Sequence, residues 1–221
     1  MLLDSTASRS ALDAVALLLL ATALGSTLLL HMVSFVQLLA LQGTLLAVAA
    51  GVVALAEPSL HSYAAVGVTA VVKAAGVPLV LGYAMRRVSH GGGAEVVISR
   101  KLTFVLAVAL VLLAFYVAGP IASVGGDLTP HALPSAISLI LLGLLTMSTR
   151  RKALAQVVGL VMLENGIYLA ALVVTRGLPL AVELGVAVDI LVGVLVMGLV
   201  VQQIERTFAT IDTDRLRALR G

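Results

Sequence analysis

Long uncharged runs of apolar residues, separated by short polar loops, make up most of this chain. The first run, from Ala14 to Ala56, is too long for one membrane-spanning helix but fits two, at roughly 20 residues for each span. The runs are apolar on all sides, whereas the strands of an outer-membrane barrel alternate apolar and polar residues. Since backbone groups in hydrocarbon must also be satisfied within their own segment, the pattern predicts an all-α, polytopic transmembrane bundle.

The same pattern places seven spans along the chain. A turn near His31–Ser34 divides the first run, Pro78 predicts a kink in the third span, and the loop after the fourth span contains Pro120. The predicted spans cover about 12–31, 34–56, 61–85, 102–119, 133–149, 153–174 and 180–203. A charged tail, 204–221, follows them, and we expect it to form a short surface helix.

Composition excludes several classes of protein. Of the 221 residues, 61% are hydrophobic and only 11% are charged, whereas soluble domains carry about 25% charged residues. The chain has no cysteine, which excludes disulfides, thiolate-bound zinc and iron–sulfur clusters, so the chain is no electron carrier by itself. The basic pI of about 9.6 reflects charged loops, and no nucleic-acid motif is present.

Basic residues predict the orientation in the membrane. One side of the seven-span plan holds eleven of them, and the opposite side holds only Arg9 and Arg176. The positive-inside rule therefore predicts that the N-terminus lies outside and the C-terminus in the cytoplasm. The first run lacks the basic start of a signal peptide, so we expect it to be a retained span. The eleven are Arg86, Arg87, Arg100, Lys101, Arg150, Arg151, Lys152, Arg206, Arg215, Arg217 and Arg220.

A weak internal repeat relates the first three spans to the last three. Leu41-Gln42-Gly43 falls where Leu163-Glu164-Asn165 falls, and Lys73 falls where Asp189 falls, each followed nine residues later by glycine. Equivalent spans are four apart, an even number, which predicts parallel rather than inverted copies. We therefore divide the chain into a first three-helix repeat, an inserted helix with its loops, a second three-helix repeat and a cytoplasmic tail, at 1–85, 86–131, 132–203 and 204–221.

Ionisable residues near the centres of spans are the candidate functional residues. An acid at bilayer depth costs several kcal/mol, so Glu164 and Asp189 are candidate carriers of a proton path. Lys73 and Gln42 lie at similar depth at 1.5 Å rise per residue, and a lysine beside an acid forms a switch that can hand on a proton. Glu183 lies about 9 Å further toward the outer surface and is a separate candidate.

Structural alternatives remain open for each of these residues. The two acids can specify helix packing alone, Lys73 can be a plain counter-ion, and Gln42 can be an interhelical hydrogen-bonding residue. Glu183 fits a subunit interface as well as a proton path. Gly185, Asp189 and Gly193 share a helix face, where small residues let a neighbouring backbone approach, so we expect Asp189 to face protein.

We expect no catalytic residue, cofactor or metal in the chain itself. All four histidines fall in loops or at predicted span ends, which favours the membrane interface over a metal site. They are His31, His61, His90 and His131.

The last three predicted spans resemble the K-type subunit of respiratory complex I and the C-type subunit of multisubunit sodium/proton antiporters. The features they share are a basic loop at Arg150-Arg151-Lys152, the pair Leu163-Glu164, and Asp189 followed four residues later by Gly193. In complex I both corresponding acids are glutamates that line the lateral proton path. The aspartate here is shorter by one methylene.

Nearly the whole chain resembles the hydrogenase-4 component E family, most specifically in the runs 162–171 (MLENGIYLAA) and 179–185 (PLAVELG). This resemblance implies a non-catalytic membrane-arm subunit of a formate hydrogenlyase-like or other group 4 nickel–iron hydrogenase complex in a prokaryotic cytoplasmic (inner) membrane. The subunit would lie between antiporter-like subunits and a peripheral redox arm. Nickel, iron and clusters would then belong to partner subunits. A passive scaffold and, with less support, a stand-alone secondary transporter are the alternative functions.

Overall fold

The computed structural model describes residues 5–29, 31–56, 58–88, 98–124, 130–175 and seven positions of the last predicted span. All seven of those positions are helical: Gly185, Asp189, Val192, Gly193, Val196, Met197 and Gly198. The helices are α1 (Ser5–Leu28), α2 (Met32–Ala56), α3 (Leu60–Thr69), a π-helix (Ala70–Gly76), α4 (Val77–Val88), α5 (Arg100–Val124), α6 (Ala132–Thr149) and α7 (Ala153–Thr175).

Six helical segments within the described residues are long and apolar enough to cross a membrane. The third is continuous from α3 through the π-helix to α4, and the others are α1, α2, α5, α6 and α7. Large apolar side chains remain on the outside, such as Leu112 and Tyr116 of α5, as a hydrocarbon surrounding requires. The all-α membrane bundle predicted from the sequence is confirmed, and most of the seventh predicted span and the whole tail lie outside the described residues.

The irregularity predicted at Pro78 lies just before that residue, as the π-helix. Proline has no backbone N–H, so Pro78 cannot donate an α-helical hydrogen bond to the carbonyl of Ala74. The preceding turn is wider, and the amide of Val77 donates to the carbonyl of Val72, five residues back. A π-helical turn in an otherwise α-helical span often marks a functional position, and here its central residue is Lys73.

The prediction that Pro120 lies in a loop is wrong. α5 continues through Pro120 to Val124. Proline removes one hydrogen bond of the helix, but membrane helices tolerate it where neighbouring groups satisfy the freed carbonyl.

Glycines let α6 and α7 pack with their backbones almost in contact. A Cβ on Gly143 would lie 2.6 Å from the backbone nitrogen of Leu163, and one on Gly159 would lie 2.8 Å from the carbonyl oxygen of Gly143. Gly166 meets the carbonyl of Ala136 equally closely, at 2.8 Å. Real Cβ atoms essentially never come nearer than 3.0 Å, so this seam of small residues sets the position of α7 and of the acid it carries.

Contacts at both ends of the bundle tie α1 to the α6–α7 hairpin. At one end, the backbone amide of His131 donates to Asp13 at 3.0 Å. At the other, Arg150 donates to the carbonyl of Leu29 at 3.3 Å and lies over the ring of Phe35. Burial lowers the pKa of Arg150, and the charge of the Arg100 guanidinium lowers it further. The two arginines therefore lie at the same end of the bundle.

Candidate functional site

A buried lysine lies between two buried carboxylates in the middle of the bundle. The Lys73 ammonium forms an ion pair with Oε1 of Glu164, and its Nζ lies 3.4 Å from Oδ2 of Asp189. The exposed fractions are 4% for Lys73, 2% for Glu164 and 7% for Asp189. The structure thus brings together three of the five residues singled out from the sequence, and they come from three different spans.

The π-helix and Gly43 of α2 position Lys73. A Cβ added to Gly43 would overlap the carbonyl group of Lys73 and would lie 2.8 Å from the backbone nitrogen of Ala74. Only glycine therefore lets the α2 backbone lie directly against the π-helix at the lysine. In the internal repeat, Gly43 falls where Asn165 falls, and this match gave no indication of the close approach.

Gly185 lets the last span approach α7. A Cβ on Gly185 would lie 3.0 Å from the Tyr168 ring and 3.5 Å from Oε1 of Glu164. At Gly193, in contrast, an added Cβ would meet nothing within 4 Å. Within the described residues, the atoms nearest to a Cβ on Gly185 are side-chain atoms and Gly193 faces open space, so the predicted approach of a neighbouring backbone to this face stays a prediction. Asp189, between them, does face protein, as predicted.

Two residues that were not predicted from the sequence, Thr69 and Tyr168, lie beside the lysine. The hydroxyl groups of Thr69 and Tyr168 are 2.8 Å apart and hydrogen-bonded, and the Lys73 ammonium lies 5.2 Å from the centroid of the Tyr168 ring. Thr69 precedes Lys73 by four residues and Tyr168 follows Glu164 by four. Helical neighbours at this spacing share a face, so the spacing was the signal that could have identified both.

Gln42 belongs to a neighbouring network of neutral hydrogen bonds. The Asn165 amide donates to Oε1 of Gln42 at 3.1 Å, and Nε2 of Gln42 donates to the Thr22 hydroxyl at 3.1 Å. The Thr22 hydroxyl in turn donates to the carbonyl of Leu19 at 2.7 Å. This network joins α7, α2 and α1, and these contacts favour the interhelical hydrogen-bonding interpretation of Gln42. Asn165 and Thr22 were not identified from the sequence, although Asn165 directly follows Glu164.

The carboxylates are not fully satisfied by the residues that the structure describes. Oε2 of Glu164 and both oxygens of Asp189 are buried and accept no hydrogen bond from the described part of the chain. A single ammonium therefore faces two carboxylates, which gives the ionised cluster a net charge of −1. The arrangement can hold a proton on either acid or on the lysine, and a change in the position of Lys73 alters which acid it stabilises.

The remaining predicted residues do not join this cluster. Glu183 lies outside the described residues. His31 and His131 are exposed beside helix ends, where they were predicted. Across the described ranges, no group of three or more His, Cys, Asp or Glu side chains is placed to hold a metal ion.

Comparison with known proteins identifies two kinds of relative. The chain is 36% identical over 136 residues to a Mycobacterium tuberculosis protein named "Uncharacterized protein Rv0085", a match that covers 58% of this chain and 62% of that protein. It is 33% identical over 145 residues to hydrogenase-4 component E of Escherichia coli K12, covering 66% of this chain and 67% of the relative. No family model matches the chain, and no solved structure does so either. On the extent of its similarity to the E. coli protein, this chain belongs to the hydrogenase-4 component E family.

Proposed function

We propose that this protein is a non-catalytic membrane-arm subunit of a group 4 hydrogenase or related respiratory-type complex, and that it provides part of a lateral path for protons, or for sodium/proton exchange. Its family includes a protein named as a component of hydrogenase-4, and its helices are suited to the membrane. Antiporter-like subunits would adjoin it, and a peripheral arm with nickel–iron and iron–sulfur subunits would supply the driving force. The basic end of the bundle, with Arg100 and Arg150, would face the cytoplasm.

One observation carries this proposal: Lys73 is shared between Glu164 and Asp189 in the interior of the bundle. Titratable groups at this depth mark proton relays because a bare charge there is costly. The lysine comes from the third span and the acids from the sixth and seventh, so small movements between spans change the balance of charge. When Lys73 approaches one carboxylate it favours the ionised form of that acid, and the other acid becomes the better proton acceptor from the path.

The supporting residues have different roles in this proposal. The Tyr168 ring lies under the ammonium, which limits where the lysine can move. The Tyr168 hydroxyl is hydrogen-bonded to Thr69 and joins α7 to the third span. Gln42 and Asn165 hold α2 against α7 beside the cluster. Glu183 would lie on the outer part of the path, between this cluster and an exit or a neighbouring subunit.

A passive scaffold is the second candidate function. The ion pairs of Lys73 join three spans, so the same contacts would serve a subunit that only holds its neighbours together. The two functions differ in what neutral substitutions do. If the subunit is a scaffold, the assembled complex still pumps fully when Glu164 and Asp189 are replaced by amides. If these acids carry protons, the assembled complex loses pumping.

The experiment compares Glu164→Gln and Asp189→Asn with the unaltered complex in inverted membrane vesicles. Proton uptake, electron transfer and subunit composition are measured on the same preparation. The matched control is Asp13→Asn, the same chemical change on α1 near one end of the bundle, where an amide oxygen can still accept from the backbone of His131. We expect the two central variants to assemble and lose proton uptake, and the control to retain it. Unchanged uptake in the central variants would favour the scaffold.

A further inference from the structure

A cleft opens beside the ion-pair cluster, and the described residues that line it include none from α7. It has a volume of about 270 Å³ and lies between the last span and the segment formed by the π-helix and α4. Six valines and Leu81 line it, together with Gly76, Gly193 and Asp189. The volume is several times the ~30 Å³ that one water occupies in the liquid, so the cleft has room for inserted side chains.

Among the described residues of this lining, Asp189 is the ionisable one, and it also belongs to the ion-pair cluster. Its carboxylate is buried, and neither oxygen accepts a hydrogen bond from the described residues. Lys73 approaches it at 3.4 Å but forms its closer ion pair with Glu164. Within the described residues, the wall of the cleft therefore presents a carboxylate that has an ion pair with Lys73 but accepts no hydrogen bond.

The charge of the cluster indicates what the cleft accepts. Two carboxylates face one ammonium, so the cluster has an excess of one negative charge when all three groups are ionised. Buried charges in membrane proteins are paired with one another or with backbone groups. An occupant that supplies a positive charge or a proton donor to Asp189 would restore the balance.

The position of the cleft favours a protein helix over a lipid. A lipid chain offers hydrocarbon alone at this depth, and its charged headgroup remains at the membrane surface. Water is poorly held by walls that are apolar except at one residue. Gly193 leaves open space where a Cβ would meet nothing within 4 Å, and small residues of this kind let the backbone of a neighbouring helix come close.

We infer that this cleft is the docking site for a transmembrane helix of a neighbouring subunit, which inserts a lysine or arginine side chain toward Asp189. The inference rests on the proposed membership of a membrane complex, and it assigns the face formed by the third and seventh spans to that contact. It makes Asp189 the residue through which the charge of this subunit is coupled to that of its neighbour.

The test uses a photo-crosslinking amino acid in the assembled complex in its native membrane. p-Benzoylphenylalanine replaces Val80, which lines the cleft, or the adjacent Leu79, which is 71% exposed and does not line it. After irradiation, the adduct is mapped by peptide mass spectrometry. We expect the Val80 adduct to be a membrane helix of another subunit with a lysine or arginine in its apolar stretch. We do not expect that peptide from Leu79.

A second step tests the charge. Replacing the mapped basic residue with methionine should abolish the Val80 adduct with that helix. The inference would be overturned by a Val80 adduct with lipid alone, with a helix that has no basic residue, or with a second copy of this chain. It would also be overturned if the adduct persisted after the mapped basic residue was replaced with methionine. None of these readouts is ion pumping, so docking and the proposed proton path can fail separately.

A steric variant gives an independent control. Gly193→Leu places a side chain in the open space of the cleft, and Gly119→Leu adds the same bulk on α5, where a Cβ also meets nothing within 4 Å. We expect Gly193→Leu to abolish the Val80 adduct and Gly119→Leu to leave it unchanged. An undiminished adduct in Gly193→Leu would show that the helix binds elsewhere.

Discussion

Replacing Gly43 with alanine should separate α2 from the π-helix and displace Lys73. The added Cβ would overlap the carbonyl of Lys73 and lie 2.8 Å from the backbone nitrogen of Ala74. Favourable contacts between heavy atoms begin at about 3.5 Å, so the two backbones must move apart by roughly 0.7 Å or more. These are main-chain atoms, which cannot turn aside as the end of a flexible side chain does.

The expected cost follows from two opposing terms. Overpacking of this kind destabilises by ~1–3 kcal/mol, and the upper part of that range applies because backbone meets backbone. Alanine is a better helix former than glycine by ~1 kcal/mol, which offsets part of the cost. We expect a net loss of ~1–2 kcal/mol for Gly43→Ala. Gly51→Ala, on the same helix, meets nothing within 4 Å, so it should be neutral or slightly stabilising.

Thermal unfolding of the two purified variants in one mild detergent measures this difference. Gly43→Ala should unfold at a lower temperature than the unaltered protein, and Gly51→Ala at the same or a higher temperature. Proton uptake by the assembled complex should fall in Gly43→Ala alone, because the shift moves Lys73 relative to both acids. Equal stability and equal uptake in the two variants would refute the close approach of α2 to the lysine.

Three further substitutions test contacts in the cluster and at the basic end of the bundle. Lys73→Met leaves two buried carboxylates without their shared cation and should destabilise the folded protein by ~3–5 kcal/mol. Glu164→Gln keeps one ion pair and should destabilise it less, so Lys73→Met should have the lower unfolding temperature of the two. Tyr168→Phe keeps the ring beneath the ammonium and loses one hydrogen bond, so it should cost ~1 kcal/mol in the same assay and leave proton uptake intact. Arg150→Ala removes a buried guanidinium from Phe35 and should cost ~1–2 kcal/mol, whereas alanine at the exposed neighbouring Arg151 should change the unfolding temperature little.

The helices that pack as a hairpin were predicted closely from the sequence. α6 and α7 begin and end within one residue of the predicted spans, because the basic loop around Arg150 interrupts an otherwise continuous apolar stretch. The lysine and the two acids were also identifiable, since ionisable residues in the middle of apolar runs stand out by composition alone. Their contacts follow from similar depth in neighbouring spans.

The local geometry depended on packing that the pattern does not encode. The π-helix lies where Pro78 lacks a backbone N–H donor and where Gly43 of α2 packs against the same turn. No periodicity in the sequence of the third span indicates that combination. Pro120 was assigned to a loop from its usual effect on helices, whereas α5 continues through it. The partners of Gln42, one from α1 and one from α7, depend on the rotation of each helix about its axis.

The division into two parallel repeats and the part played by Glu183 remain predictions. A structure of the assembled complex that includes the last span and tail would test both. It would also show which subunit occupies the cleft beside Asp189.

The number of protons translocated per electron transferred by the Glu164→Gln complex is the most direct test of the proton path. The measurement uses inverted vesicles in which the subunit composition equals that of the unaltered complex, with Asp13→Asn as the control. The proposed role predicts a large loss of proton translocation per electron in Glu164→Gln and an unchanged ratio in Asp13→Asn. An unchanged ratio in a fully assembled Glu164→Gln complex would contradict it.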